Sequence, residues 1–138
     1  MKILIIDDSM SACMALDKIL MDHAITYCCI CSKSWKEHYK DRNPDIILLD
    51  IIMSGMDGVE VLKQIREINT EIPVIMVSAI TDKNKIIECL NLGASGYIIK
   101  PISKDKVVKV FCKGCWRYWK CEWGSNCVLK LGICVSIW

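Results

Sequence analysis

The sequence predicts an α/β domain built on a parallel five-stranded sheet with helices on both faces. Five short apolar runs, rich in Ile, Val and Leu, alternate along the chain with segments of helical patterning. The runs show little alternation of apolar and polar residues, which is typical of strands buried on both faces. Strand and helix alternating at this spacing indicate parallel strands joined by right-handed crossovers.

The elements follow in order from these patterns. Strands are expected near residues 2–7, 24–30, 46–49, 74–78 and 96–99. Helices are expected at 9–21, 34–41, 58–68 and 83–92, with a last helix from about 104. Ser9 is a candidate N-cap of the first helix, and Gly93 is a candidate C-cap of the fourth.

Helical spacing predicts which side chains of three helices face the sheet. The expected inward residues are Ala12, Leu16, Ile19 and Leu20 in the first helix, Val59, Leu62 and Ile65 in the third, and Ile86, Ile87 and Leu90 in the fourth. The second helix is short and poorly patterned.

Composition indicates one globular domain and narrows its partners. The 138 residues are 53% hydrophobic and 25% charged, which suffices for a buried core. A net charge of +2 makes no strong case for nucleic-acid binding, and no apolar stretch reaches the roughly 18 residues of a membrane span. The first apolar run turns acidic too soon for a secretory signal. We therefore expect a cytoplasmic protein that contacts neither DNA nor membrane.

Four of the predicted strands end in polar or charged residues with complementary chemistry. These residues are Asp7 and Asp8, Asp50, Ser78 and Lys100. Ligands of open parallel sheets bind at the carboxyl ends of the strands. With strand order 2-1-3-4-5, strands 1, 3, 4 and 5 are neighbours, so the four endings are expected to form one site.

The chemistry of that set favours a divalent cation and a phosphoryl group. Three close carboxylates repel one another, and a cation relieves the repulsion. Oxygen ligands without nearby His or Cys favour Mg²⁺, which often also binds phosphate. A carboxylate can itself attack phosphorus and form an acyl phosphate, while a lysine and a metal neutralise the phosphoryl oxygens.

Residues 1 to about 110 resemble the receiver domain of two-component response regulators, a flavodoxin-like (βα)5 fold. The resemblance rests on Asp7–Asp8 after strand 1, "LLDIIMSGMDG" around Asp50, "VSA" with Ser78 and "GYIIKP" with Lys100. It implies that Asp50 accepts a phosphoryl group from a phosphohistidine on a sensor histidine kinase or phosphotransfer protein. Such a domain catalyses its own phosphorylation and slow dephosphorylation, but acts mainly as a switch.

The resemblance also assigns the metal ligands. Asp8 and Asp50 would bind Mg²⁺ directly together with the backbone carbonyl of Ile52, and Asp7 would assist through water. Ile52 and Ile80 stand where family members often assist or obstruct the hydrolytic water. Neither side chain can hydrogen-bond that water, so we expect slow loss of the phosphoryl group.

The remaining implied roles concern the phosphoryl group and the switch. Ser78 would hydrogen-bond the phosphoryl group and Lys100 would pair with it, with a cis Lys100–Pro101 bond aiming the lysine into the site. Tyr97 matches the switch aromatic, which turns inward when Ser78 moves. Output would pass to a protein target through the face formed by helix 4, strand 5 and helix 5, because too little chain follows residue 110 for a DNA-binding domain.

Three other functions are alternatives to this one. A flavodoxin that binds FMN needs a phosphate loop after strand 1, and "DDSMSA" lacks glycine. An aspartyl phosphatase of the haloacid dehalogenase type needs a second acid two residues after its nucleophile, where this chain has Ile52. A pseudo-receiver, which keeps the fold and binds partners without being phosphorylated, remains the alternative.

Three stretches depart from the family pattern. Ser54 stands where members usually have proline, which predicts a less rigid loop after Asp50. Residues 111–138 would comprise the end of the last helix and a tail rich in Cys and Trp, and residues 25–38 share its unusual composition. We interpret both of these stretches as read out of frame relative to an ordinary receiver gene, or as otherwise degenerate. Zinc binding by tail cysteines, the candidates being Cys112, Cys115, Cys121 and Cys127, is the lesser alternative.

Overall fold

The predicted alternation of strands and helices is present throughout the described part of the chain. The computed structural model describes residues 1–30 and 34–113, the last two by their backbone alone. The elements are β1 (Lys2–Ile6), α1 (Met10–Leu20), β2 (Ile25–Cys29), α2 (Trp35–Arg42), β3 (Ile46–Leu49), α3 (Gly58–Ile68), β4 (Val74–Ser78), α4 (Lys83–Asn91), β5 (Gly96–Ile99) and α5 (Lys104–Lys113). All strand pairs are parallel and the order is β2-β1-β3-β4-β5, as predicted.

Two hydrophobic clusters, one on each face of the sheet, explain why the strands are apolar on both sides. Leu4 and Ile6 of β1 belong to a cluster with α2, α3 and α4, whereas Ile3 and Ile5 belong to a cluster with α1 and α5. Successive strand residues point to opposite faces, so a strand covered on both sides needs apolar residues at every position.

The predicted inward faces are largely confirmed, with one error in α4. Ile86 is buried, but Ile87 is 52% exposed and Cys89 is fully buried in its place. Residues three apart lie on the same side of a helix, so Ile86 and Cys89 share the buried face and Ile87 turns away from it. In α1, Cys13 is likewise buried beside Leu16 and Leu20.

The predicted caps are found at both helices. The Ser9 hydroxyl accepts a hydrogen bond from the Ala12 amide at the start of α1. Gly93 follows the last turn of α4 with a φ of 96°, a conformation that glycine adopts without steric cost.

The short helix α2 is anchored by its first residue. Trp35 is 1% exposed and lies in the cluster with α3 and α4. Its ring meets Tyr39 edge-on, with centroids 6.4 Å apart. A large aromatic side chain therefore supplies the burial that the weak apolar pattern of α2 does not.

Part of the Cys-rich sequence lies outside the described residues. The Cys- and Trp-rich tail from residue 114, with candidate zinc ligands Cys115, Cys121 and Cys127, lies outside the described residues, as does the 31–33 segment. Among the described helices, none is long and apolar enough to cross a membrane.

Candidate functional site

The strand endings converge at the carboxyl edge of the sheet. Ile6 of β1 is paired with Leu49 of β3, so Asp7 and Asp50 follow side by side, and the Asp50 amide donates to the Ile6 carbonyl at 2.9 Å. One carboxylate oxygen each from Asp7, Asp8 and Asp50 lies within 4.8 Å of the others. The parallel register thus brings together three acids that are up to 43 positions apart in the chain.

Lys100 extends from the end of β5 into this acidic cluster. Its ammonium donates to Asp50 Oδ2 at 2.7 Å and to Asp7 Oδ2 at 2.9 Å. Asp50 and Asp7 are only 5% and 1% exposed. The Lys100–Pro101 peptide bond is cis, as the resemblance implies. The strongest ion pairing within the described site is therefore between one lysine and two buried carboxylates.

Burial and ion pairing act in opposite directions on these groups. Burial raises the pKa of Asp7 above its ordinary value, although its hydrogen bonds from Lys100 and the Ser9 amide work against that shift. Burial alone would lower the pKa of Lys100, but the hydrogen bonds to Asp50 and Asp7 outweigh it, so that pKa is raised. The lysine accordingly stays protonated at neutral pH.

Asp8 is held by a different partner. Its Oδ2 accepts hydrogen bonds from the Ser54 amide at 2.7 Å and from the Ser54 hydroxyl at 2.5 Å. Both bonds lower the pKa of Asp8, and the bond from the hydroxyl has the larger effect. They also tie the loop after β1 to the loop after β3. A proline at position 54, as the receiver resemblance implies, would have neither an amide hydrogen nor a hydroxyl and could form neither bond.

The loop after Asp50 turns tightly against the phosphoacceptor candidate. The Ile52 amide donates to Asp50 Oδ1 at 3.3 Å, and the Ile52 side chain is 60% exposed. The Gly58 amide donates to the Ile51 carbonyl at 2.9 Å. A Cβ atom at Gly58 would lie 1.9 Å from the Asp50 carbonyl oxygen, so only glycine fits here. That requirement is not visible in the sequence, where Gly58 is one of two glycines in the stretch after Asp50.

Ser78 and Tyr97 lie on the adjacent strands. Ser78 is fully buried at the end of β4, and its hydroxyl accepts from the Ile80 amide at 3.4 Å. Tyr97 is 6% exposed and its hydroxyl donates to the Ile80 carbonyl at 3.0 Å. Burial raises the pKa of Tyr97 to about 12. The Tyr97 ring therefore points into the protein. Its hydroxyl bonds Ile80, the same loop residue that contacts Ser78.

A further contact at the end of β5 was not anticipated. The Lys106 ammonium donates to the Ile99 and Pro101 carbonyls, both at 3.0 Å. These carbonyls flank Lys100, so the first turn of α5 is bonded to the backbone that carries the site lysine. No sequence motif signalled this contact, because a lysine near a helix start is common on protein surfaces.

The donor set fits a hard divalent cation. All three candidate side-chain ligands are carboxylates, and such oxygens are what Mg²⁺ prefers. One oxygen of each carboxylate already lies within 4.8 Å of the others, so the three acids are gathered closely enough to share one cation.

Comparison with known proteins gives one consistent family. The model of the response regulator receiver domain matches residues 3–111. Chemotaxis protein CheY of Bacillus subtilis is 32% identical over 114 residues, which are 81% of this chain and 95% of that protein. Transcriptional regulatory protein ZraR of Escherichia coli O157:H7 is 33% identical over 106 residues, which are 24% of its length.

Solved structures agree with this result. The crystal structure of a two-component response regulator from Clostridium difficile superposes with a TM-score of 0.72 at 29% identity, over 79% of this chain and 93% of that chain. The fold, the sequence matches and the matched length point to the same conclusion: this chain belongs to the response regulator receiver domain family.

Proposed function

We propose that Asp50 is the phosphoacceptor of a two-component signalling pathway and that its donor is a phosphohistidine on a sensor kinase or phosphotransfer protein. The observation that carries the proposal is the Lys100 ammonium 2.7 Å from Asp50 Oδ2, inside a cluster of three carboxylates. A cation and acids at the end of a buried strand suit in-line transfer of a phosphoryl group.

Transfer would replace a phosphorus–nitrogen bond with a phosphorus–oxygen bond. An oxygen of the Asp50 carboxylate attacks phosphorus, the bond to the imidazole nitrogen breaks, and its electron pair returns to the ring. Lys100 already contacts Asp50, so its ammonium can turn to the phosphoryl oxygens over a short distance and stabilise their charge. The Ser78 hydroxyl, fully buried on the neighbouring strand, would hydrogen-bond the same group.

The acidic residues would hold Mg²⁺ beside the acceptor. Asp8 and Asp50 would bind it directly with the Ile52 carbonyl, and Asp7 would act through water. When bound, Mg²⁺ neutralises charge on the phosphoryl oxygens and on the carboxylates. Until then Lys100 is the cation that stabilises Asp7 and Asp50.

The output would follow from a rearrangement around Ser78 and Tyr97. Both residues contact Ile80, so a shift of Ser78 toward a phosphoryl group would be felt at the Tyr97 hydroxyl. Tyr97 lies in β5, between α4 and α5 in the chain. We propose that this face binds a downstream protein and that its equilibrium between two forms is biased by phosphorylation.

Incubation with acetyl phosphate and Mg²⁺, followed by intact mass measurement, tests the proposal. The protein should gain the mass of one phosphoryl group, and the Asp50→Asn variant should gain none. Asp45→Asn, a change to an exposed acid at the opposite edge of the sheet, is the matched control and should label normally. A folded wild-type protein that gains no mass would instead support the pseudo-receiver.

A further inference from the structure

Ser54 makes an unusual approach to the metal-site candidate Asp8. Its amide and its hydroxyl both donate to the same carboxylate oxygen, Oδ2, at 2.7 Å and 2.5 Å. The two residues are 46 positions apart. The hydroxyl contact is at the short end for a hydrogen bond between oxygens, which is typical of a charged acceptor.

Two bonds to one oxygen restrict where that oxygen can lie. A single hydrogen bond leaves the carboxylate free to rotate about its side-chain torsions, whereas the amide and the hydroxyl of Ser54 both donate to Asp8 Oδ2 and hold it from two directions. A carboxylate that binds a cation through one oxygen presents the other to hydrogen-bond donors, and those partners orient the ligand. Ser54 occupies that supporting position with respect to Asp8.

The other two acids of the cluster have a different support. Asp7 and Asp50 share Lys100, and Asp7 also accepts from the Ser9 amide at 2.8 Å. The contacts described for Asp8 are with Ser54. Asp8 is also the most exposed of the three acids. It is intermediate in exposure, whereas Asp7 and Asp50 are 1% and 5% exposed. Without Ser54 it would sample more orientations, and metal binding would have to restrict them.

We infer that Ser54 is a positioning residue for the cation site: its hydroxyl holds the Asp8 carboxylate in an orientation suited to Mg²⁺ before the metal arrives. This inference rests on the proposed function, since it assumes that the acidic cluster binds the metal. Loss of a hydrogen-bond partner of a metal ligand typically weakens affinity by about 10-fold or more, and we expect a change at the lower end, because the Ser54 amide would remain in Ser54→Ala.

Electron paramagnetic resonance of Mn²⁺ tests the inference directly, since the signal of the free ion disappears on binding, and Mg²⁺ competition then reports the native ion. The variants are Ser54→Ala, Ser54→Thr, which keeps the hydroxyl, and Thr70→Ala. Thr70 is exposed in the loop between α3 and β4, at the opposite edge of the sheet. Denaturant unfolding of each variant in the presence of EDTA shows the conditions under which it is folded without metal. All metal titrations are made under those conditions.

Ser54→Ala should bind both ions about 10-fold more weakly, while Ser54→Thr and Thr70→Ala stay near the wild-type affinity. Affinity in Ser54→Ala that is equal to or tighter than wild type would overturn the inference, and so would a threonine variant as weak as alanine. If the wild-type protein itself binds no metal, the metal site of the proposed function fails as well. The two failures are therefore distinguishable.

Discussion

Lys100 lies between two buried carboxylates, with its ammonium 2.7 Å from Asp50 and 2.9 Å from Asp7. Removing it leaves both acids without their cation in a poorly solvated position. Because the lysine side chain is 21% exposed, solvent offsets part of the loss. We expect Lys100→Ala to lower the free energy of unfolding by about 2 kcal/mol in the absence of Mg²⁺, as measured by denaturant titration.

The destabilisation caused by Lys100→Ala should become smaller as the pH falls. The pKa of Asp7 is raised in the folded protein, so the folded state takes up this proton before the unfolded chain does as the pH falls. A protonated Asp7 no longer needs a counterion, and the difference between Lys100→Ala and wild type should narrow toward acidic pH. A constant difference would contradict this explanation.

Acetyl phosphate should still label Lys100→Ala at Asp50. The rearrangement that we propose around Ser78 and Tyr97 should be absent from the labelled variant, because the lysine that would contact the phosphoryl group is missing. Amide hydrogen exchange of the labelled and unlabelled proteins measures this, and a labelled variant that changes as wild type does would show that Lys100 has another role.

Asp8 is predicted to be required for Mg²⁺ binding. Its carboxylate is one of three whose oxygens lie within 4.8 Å, and Mg²⁺ is bound in proteins chiefly through such oxygens. Asp8→Ala should reduce Mg²⁺ affinity by more than the roughly 10-fold expected on losing a supporting hydrogen bond, as followed by Mn²⁺ displacement. Asp45→Ala is the control, since Asp45 is also an acid but bonds the Lys2 amide at the opposite edge. Equal affinity in the two variants would refute the assignment.

Tyr97 is predicted to ionise later than a free tyrosine. Its pKa is about 12 in the folded protein, against about 10 in an unfolded chain. The unfolded state therefore loses the proton first as the pH rises. The resulting stabilisation is complete below about pH 10 and is lost as the pH approaches 12, at about 1.4 kcal/mol per pH unit.

Tyr97→Phe should lack this decline in stability, and its phenolate absorbance should lose the late-titrating component. The phenylalanine ring also removes the hydrogen bond to the Ile80 carbonyl. A wild-type alkaline titration identical to that of the variant would show that the Tyr97 hydroxyl is not shielded.

Gly58 is predicted to tolerate no side chain. A Cβ atom there would meet the Asp50 carbonyl oxygen at 1.9 Å and Ile51 Cα at 2.7 Å, and both are backbone atoms. Gly58→Ala should cost about 3 kcal/mol of unfolding free energy and weaken phosphorylation by displacing Asp50. Gly96→Ala is the comparison, because its Cβ would meet side-chain atoms and no backbone: Val110 Cγ1 at 2.9 Å and Ile75 at an ordinary contact distance of 3.8 Å. We expect about 1 kcal/mol there, and comparable losses would argue against a backbone clash.

The phosphorylated protein is predicted to lose its phosphoryl group slowly. Hydrolysis needs a positioned water, and neither Ile52 nor Ile80 has a side chain that can hydrogen-bond one. Ile80 is also packed against the core cluster of α2, α3 and α4. Decay after removal of the donor should be much faster in a double variant, Ile52→Asn with Ile80→Glu. A wild-type lifetime of seconds, or unchanged decay in that variant, would contradict the argument.

Much of the fold was predictable because local patterns and the sheet require the same residues. Strand β3 was predicted at its observed residues 46–49, since a strand covered on both faces must be continuously apolar. The Ser9 cap was predictable for a similar reason, as the hydroxyl bonds an amide three residues on. The predicted buried face was wrong in α4, where Cys89 rather than Ile87 is buried. Hydrophobicity alone could not choose between neighbouring positions on that helix.

The sequence by itself determined the α/β class, the strand order expected of the family, and the acids, serine and lysine at the ends of the strands. Only the tertiary structure decided how these residues are partnered. The Lys100 ammonium donates to both Asp7 and Asp50, whereas Asp8 accepts hydrogen bonds from Ser54. These contacts join residues 46 to 93 positions apart. Their geometry depends on strand register and loop conformation, which side-chain identity along the chain does not specify.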